Sequence, residues 1–217
     1  MSKNVISNSV IRRLPRYYRF LGELEENGYI RISSRELSEK MGLTASQIRQ
    51  DFNCFGEFGQ QGYGYNVSEL RRQIGIILGL NKKTPMILMG AGNLGKAIAT
   101  HIDFSNLGFE LIGAFDINPD IIGRQLGKIT VKDISELESF CTEYKPEAVV
   151  LCIPQETAEK EINQLIDYGI HAFWNFTHYD LSISHENVIV ENVHLGDSLT
   201  ILSYAINAEK EQENEGS

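Results

Sequence analysis

At 217 residues, with 42% apolar and 23% charged side chains, the chain has the ordinary composition of one large or two modest globular domains. No run approaches the roughly 18 apolar residues of a membrane helix, and the opening MSKNVISNSV lacks the apolar segment of a secretory signal, so a cytoplasmic protein with no membrane partner is expected. The net charge of −9 argues against nucleic acid only until it is divided: residues 1–80 carry 11 Lys+Arg against 8 Asp+Glu, net +3, and residues 81–217 carry 9 against 21, net −12. A basic front and an acidic back imply two domains with different partners. Cys54, Cys141 and Cys152 form no CxxC pair, so no structural zinc or other metal is expected. Free thiols in a reducing cytosol and a thiol switch both remain open.

The first domain reads as three helices and a hairpin. Leu14, Tyr17, Tyr18, Leu21 and Leu24 fall at helical spacing and predict a helix from about Ser9 to Glu26. Ser33 with Glu36 fits a capping box that opens a short second helix, ended by Gly42. Thr44 with Gln47 forms a second box and opens a third helix, with Ile48 and Phe52 facing inward. Two short capped helices joined by a Gly-containing turn are the mark of a helix-turn-helix. Ser46, Gln47, Arg49, Gln50 and Asn53 lie off the inward face and are the side-chain types that read base edges in a major groove. Arg12 and Arg13 are counted with them as DNA contacts. The bland alternative is a solvated polar face on an ordinary three-helix domain.

The segment Phe55-Gly56-Glu57-Phe58-Gly59-Gln60-Gln61-Gly62-Tyr63-Gly64-Tyr65 alternates aromatics with glycines. It predicts a β-hairpin with its tip at Gly59, Gln60, Gln61 and Gly62, a wing that with Tyr63 approaches the phosphate backbone or minor groove. A plain connecting hairpin is the alternative. A helical pattern through Leu70, Ile74, Ile77 and Leu78 then runs into the polar stretch Asn81–Pro85, which marks the domain boundary.

Beyond it, strand and helix alternate. Strands are expected at Met86–Met89, Glu110–Phe115, Ala148–Cys152, Ala172–Asn175 and Val188–Glu191, with helices near Lys96–Ile102, Ile134–Glu143 and Thr157–Tyr168. The strands are continuous apolar runs, as in a parallel, doubly wound sheet buried on both faces. The first strand leads into Gly90-Ala91-Gly92-Asn93-Leu94-Gly95, a GxGxxG, and Asp116 ends the next strand 21 residues after Gly95. Gly90 permits the turn, Gly92 lets backbone N–H groups reach a pyrophosphate, and Gly95 lets helix and sheet pack closely. Asp116 would accept the adenosine ribose and repel a 2′-phosphate. Ile117-Asn118-Pro119 offers no Arg, so NAD(H) is favoured over NADP(H). Gly90 to Lys96 also matches the front of a P-loop, but Ala97 lacks the hydroxyl that would hold Mg²⁺. A Rossmann-like fold that is empty, or that takes another adenine ligand such as coenzyme A, stays open. His101, His178, His185, His194 and Lys96 are acid/base types outside any assignable catalytic motif, and no substrate domain follows the sheet, so no enzyme is expected.

Helix-turn-helix, Gly-rich wing and Rossmann motif in this order resemble the Rex family of redox-sensing transcriptional repressors. The matching residues are Arg13-Leu14-Pro15 with Tyr18-Arg19, Ile48-Arg49 with Asp51-Phe52, Phe55-Gly56, and Gly62-Tyr63-Gly64-Tyr65-Asn66-Val67. They continue through Gly90–Gly95, Phe115-Asp116, Ile122-Gly123, Ile153-Pro154, Asn175-Phe176 and Glu191-Asn192-Val193. The resemblance implies a homodimer on a palindromic operator in double-stranded DNA, released by NADH, that senses the NADH/NAD⁺ ratio. Ile117, Pro154 and His101 join the glycine loop and Asp116 as cofactor residues. Arg19, His101 and His194 stand at the positions of the family's switch residues. It also implies a last helix exchanged between subunits. The expected α/β protein is a winged helix-turn-helix domain over 1–80, a Rossmann-like doubly wound sheet over 84–196 and a swapped dimerisation helix over 197–210, with an apolar stripe at Leu199, Leu202 and Ile206. An NAD-dependent oxidoreductase with a degenerate helix-turn-helix is the runner-up.

The chain departs from the family pattern where the family is usually basic, with Gln50 after the recognition-helix Arg and Gln60-Gln61 at the wing tip. His101 replaces the family's Tyr and His194 its Asp, so an Arg–carboxylate pair cannot form at residue 194. Weaker DNA binding and a pH-sensitive switch are the corresponding expectations.

Overall fold

The computed structural model describes residues 6–55 and 63–215, and the chain divides into two compact units, Met1–Lys82 and Lys83–Ser217. The expected wing tip, Gly59 to Gly62, lies outside the described residues.

The first unit holds α1 (Asn8–Ile11), α2 (Leu14–Glu26), β1 (Arg31–Ile32), α3 (Ser34–Met41), α4 (Ala45–Asn53), β2 (Tyr65–Asn66) and α5 (Val67–Ile77). The single helix expected from Ser9 to Glu26 is two. Pro15 has no N–H for the carbonyl of Ile11 and its ring crowds that carbonyl, so the helix restarts at Leu14 with Pro15 in its first turn. The capping box of α3 is complete: the Glu36 N–H donates to Ser33 Oγ at 3.1 Å, and the Ser33 N–H to Glu36 Oε2 at 2.8 Å. Gly42 ends α3 at φ 66°, a left-handed conformation that suits glycine. At α4 the Gln47 N–H donates to Thr44 Oγ1 at 3.1 Å, but no return bond from the Gln47 side chain accompanies it, so the second box is half of what was expected. The described arm of the hairpin, Tyr65-Asn66, pairs antiparallel with Arg31-Ile32, a two-residue strand too short to show a period in the sequence.

Leu14, Tyr17 and Leu21 of α2, Leu37 of α3, Ile48 and Phe52 of α4 and Ile74 of α5 form the core of this unit. One charge sits among them. Asp51 is 2% exposed, on the same face of α4 as Ile48 and Phe52. Arg13 Nε and Nη2 donate to its Oδ2 and Oδ1, each at 2.7 Å, and the Tyr17 hydroxyl donates to Oδ2 at 2.8 Å. The bidentate pair thus ties α4 to the start of α2. The bond to Asp51 raises the Arg13 pKa above its ordinary value, and burial followed by the Asp51 bond raises that of Tyr17. Both shifts favour the protonated donors.

The second unit holds β3 (Thr84–Met89), α6 (Asn93–His101), β4 (Phe109–Asp116), β5 (Gln125–Leu126), β6 (Ile129–Asp133), α7 (Leu137–Tyr144), β7 (Ala148–Leu151), α8 (Gln155–Asp167), β8 (Ala172–Asn175), α9 (Leu181–Ser184), β9 (Ile189–Asn192) and α10 (Leu195–Glu215). The strand order is β5-β6-β4-β3-β7-β8-β9, with every neighbouring pair parallel except β5 with β6. The chain winds outward from β3 through β4 to β6, then returns to β7 beside β3. The switch point at the C-terminal ends of β3 and β7 is where such sheets bind ligands. Phe140 of α7 and Ile162 of α8 pack with Ile87, Met89 and Val149 in one core cluster, and Ile98 of α6 packs with Met86, Leu88 and Val150 in another. The sequence pattern missed β6 because Thr130 and Lys132 interrupt its apolar run near the sheet edge.

Removing the Asp51 carboxylate strands the Arg13 guanidinium in a partly buried position. Asp51→Ala is expected to destabilise the first unit by about 3 kcal/mol. Because Trp174, the chain's single tryptophan, lies in the second unit, the loss should appear in the helical circular-dichroism transition and leave the tryptophan-fluorescence transition in place.

Candidate functional site

The glycine loop joins β3 to α6 with three backbones almost in contact. Gly90 has φ 88°, and a Cβ on it would collide with the Cys152 carbonyl oxygen. A Cβ on Gly95 would collide with the carbonyl of Gly90. These two glycines are required by the protein's own packing. Gly92 is different. It is the N-cap of α6, and a Cβ there would meet nothing within 4 Å. The space beside it is open, next to a helix start that carries no side-chain cap. Such an end presents unbonded N–H groups and the positive pole of the helix, which suits a phosphate.

Asp116 closes the other side. Its Oδ2 accepts the Ala91 N–H at 2.7 Å and its Oδ1 the Asn118 N–H at 2.8 Å. The carboxylate therefore holds the glycine loop to the end of β4. Each oxygen keeps a second lone pair for a ligand hydroxyl. A crevice of about 330 Å³ opens at this point, lined among others by Gly90, Gly92, Asp116, Ile117, Ile134, Pro154 and Glu161.

The structure thus brings together Gly90, Gly92, Asp116, Ile117 and Pro154, with Ala91 bonded to Asp116 and Asn93, Leu94 and Gly95 in the first turn of α6. His101 ends α6, eight residues beyond Asn93, and is exposed. It is not among the residues that line the crevice. His194 is half-buried between β9 and α10, and its ring stacks on His178 with centroids 5.8 Å apart and planes at 5°. The fold holds this pair in place through Asn175, fully buried at the end of β8. Asn175 Nδ2 donates to Asn192 Oδ1 and to the Tyr179 carbonyl, each at 2.9 Å, while its Oδ1 accepts the Thr177 hydroxyl at 2.7 Å. Sequence reasoning had no signal for His178 as the partner of His194, since the pairing joins two separate loops.

In the first unit, Ser46, Arg49, Gln50 and Asn53 are exposed along one side of α4, with Gln47 half-buried among them. Arg49 Nη1 donates to Ser34 Oγ at 3.0 Å. Tyr63 is 70% exposed beside Arg31, whose guanidinium lies 5.9 Å from its ring centre. Arg12 and Arg19 are exposed. Arg13 is committed to Asp51, so its observed work is to orient α4. The bonds of Arg13 and Tyr17 to Asp51 were not legible in the pattern, which placed Tyr17 on an apolar helix face and Asp51 among the residues shared with the family.

Two family models match the chain, a putative DNA-binding protein N-terminus over residues 5–53 and a CoA binding domain over 81–179. The redox-sensing transcriptional repressor Rex of Thermoanaerobacter sp. (strain X514) is 53% identical over 96% of this chain and 92% of its own length. That of Clostridium botulinum (strain Hall) is 53% identical over 94% of this chain and 97% of its own. The chain belongs to the Rex family. Among solved structures, RSP in complex with β-NAD⁺ and operator DNA matches with a TM-score of 0.89 and 51% identity over 97% of each chain. RSP with β-NADH matches with a TM-score of 0.88 and 48% identity, over 97% of this chain and 99% of that one. Membership sets aside the oxidoreductase alternative, because the matched Rex relatives are repressors.

The three thiols of this Rex-family chain differ in reactivity. Burial pushes Cys152, in the crevice wall, up to about 12 and Cys141 up to about 11, whereas Cys54 is exposed. A raised thiol pKa leaves little thiolate at pH 8. Iodoacetamide at pH 8 is expected to label Cys54 first in the folded protein, with Cys141 and Cys152 protected until it unfolds. Peptide mass spectrometry checks this, and early labelling of Cys152 would contradict it.

Proposed function

We propose that the chain is a cytoplasmic homodimeric repressor that binds palindromic operator DNA through α4 and is released by NADH, so that it reports the NADH/NAD⁺ ratio. The observation that carries the reading is the open space at Gly92, beside an uncapped helix start and opposite Asp116, in a chain that also holds a helix-turn-helix. The residues fit a dinucleotide. The first turn of α6 suits the pyrophosphate, Asp116 the adenosine ribose, and the apolar wall with Ile117 and Pro154 the base. NAD(H) supplies a nicotinamide ring whose charge differs between its oxidised and reduced forms. The chain's own residues supply the grip and the readout.

The DNA-reading surface is Ser46, Gln47, Arg49, Gln50 and Asn53 on α4, with Arg12 and the wing, Gly59 to Tyr63, on the backbone. Arg13 sets the angle of α4 through Asp51. Arg19, His101 and His194 are the proposed link between the nicotinamide ring and the DNA-reading unit.

Dimerisation is proposed through α10. Leu195, Leu199, Leu202 and Ile206 form one stripe, while Ile201 and Tyr204 lie on the opposite side, and all six are exposed, Tyr204 at 76%. A helix apolar on opposite sides is built to be buried between two surfaces. It fits exchange between subunits, beyond the single stripe the sequence suggested. An apolar cavity of about 370 Å³ lined by Met86, Phe104, Trp174 and Ile189 lies on the sheet face away from α8 and extends the surface available to a second copy.

Band-shift on a palindromic AT-rich operator is expected to show a complex that NADH dissolves and NAD⁺ tolerates. Retention of the complex at saturating NADH would contradict the reading. Replacing Gln61 by Lys should steepen the log-affinity against log-salt plot by about 0.9 if it gains one phosphate contact. The double variant Leu202→Glu/Tyr204→Glu is expected to sediment as a monomer and to lose operator binding. A stable dimer would remove α10 from the interface.

A further inference from the structure

Glu161 lies one turn beyond Thr157 on α8, and both residues line the crevice that contains Asp116. Its Oε2 is shielded from solvent and has no hydrogen-bond partner among the described residues. Buried polar atoms in folded proteins nearly always find a partner. A carboxylate accepts and does not donate, so the partner must bring an N–H or O–H. The last torsion of a Glu side chain is broad, and a donor in the crevice can therefore reach either oxygen.

The position of Glu161 narrows what that donor is. With the adenosine ribose on Asp116, the base enters a slot walled by Ile117, Ile121, Ile134 and Ile153, across from α8. A planar purine suits these walls; of the other polar side chains in the crevice, the Thr157 hydroxyl donates to the Pro154 carbonyl at 3.2 Å and Asn118 Oδ1 accepts the Asp120 N–H at 3.0 Å. At the position of the adenine amino group, which donates, hypoxanthine carries a carbonyl, which accepts only and is repelled by a carboxylate; its N1–H donor sits one ring position away, so the base has to shift along its edge to offer it. We propose that Glu161 is a specificity-determining residue that accepts a hydrogen bond from the adenine amino group, so that the crevice selects adenine over hypoxanthine dinucleotides. This rests on the dinucleotide reading above and names the atom that recognises its base.

The test titrates the full chain, by fluorescence of the reduced nicotinamide, with NADH and with reduced nicotinamide hypoxanthine dinucleotide. The wild-type protein is expected to prefer NADH by about tenfold or more. Glu161→Gln should bring the preference below about threefold, because an amide offers N–H to a carbonyl as readily as oxygen to an amino group. Glu161→Ala should weaken NADH and leave the hypoxanthine analogue unchanged. The ligand-free variants should melt at or above wild type, since no protein hydrogen bond is lost. Equal binding of the two dinucleotides by wild type, or equal weakening of both by the variants, would overturn the proposal while leaving the dinucleotide reading intact. If neither dinucleotide binds, both fall.

Discussion

The close approach of three backbones at the end of β3 is the constraint on which the rest of the second unit depends. Gly90 passes against the carbonyl of Cys152, and Gly95 rests under the carbonyl of Gly90. No side chain fits at either contact. The start of α6 is thereby pressed onto the sheet, its first amides aimed at the switch point between β3 and β7. Asp116 then fastens the loop from the other side through the Ala91 N–H. A site made this way is already shaped before any ligand arrives, because its parts are backbone groups held by packing and by one carboxylate.

The first unit uses a comparable device for a different end. Asp51, buried on α4, draws Arg13 and Tyr17 of the preceding helical segment onto the helix that offers Ser46, Arg49, Gln50 and Asn53 to solvent. An ion pair of this kind contributes little stability over an apolar replacement, but it specifies one orientation, since only one placement satisfies both guanidinium bonds. The two units differ in charge, net +3 over residues 1–80 and −12 over the remainder, and in the second the uncapped start of α6 offers an anion backbone amides.

The parts of the site written as local signals were legible in the chain. The GxGxxG followed a strand and opened a helix, Asp116 stood at the right distance, and Ser33 with Glu36 announced α3. Local signals failed where an element lacked a period or where contact joined distant residues. Pro15 split the first helix because one missing N–H outweighs an uninterrupted apolar stripe. β1 is two residues long, and β6 lies near a sheet edge where Thr130 and Lys132 remain partly solvated. The Thr44 box was half real, since spacing allows the reciprocal bond without enforcing it.

By itself the sequence determined the class of fold, the order of the two domains and the turn and close packing of the glycine loop, because these depend on side-chain size, backbone freedom and periodicity over short spans. Only the tertiary structure decided that Arg13 serves Asp51, that His194 stacks on His178, that Glu161 lines the crevice with its Oε2 unbonded among the described residues and that α10 is left apolar on opposite sides. Each of these is a contact, or a missing contact, between residues far apart in the chain. Their positions follow from how helices and strands pack, which no local pattern encodes.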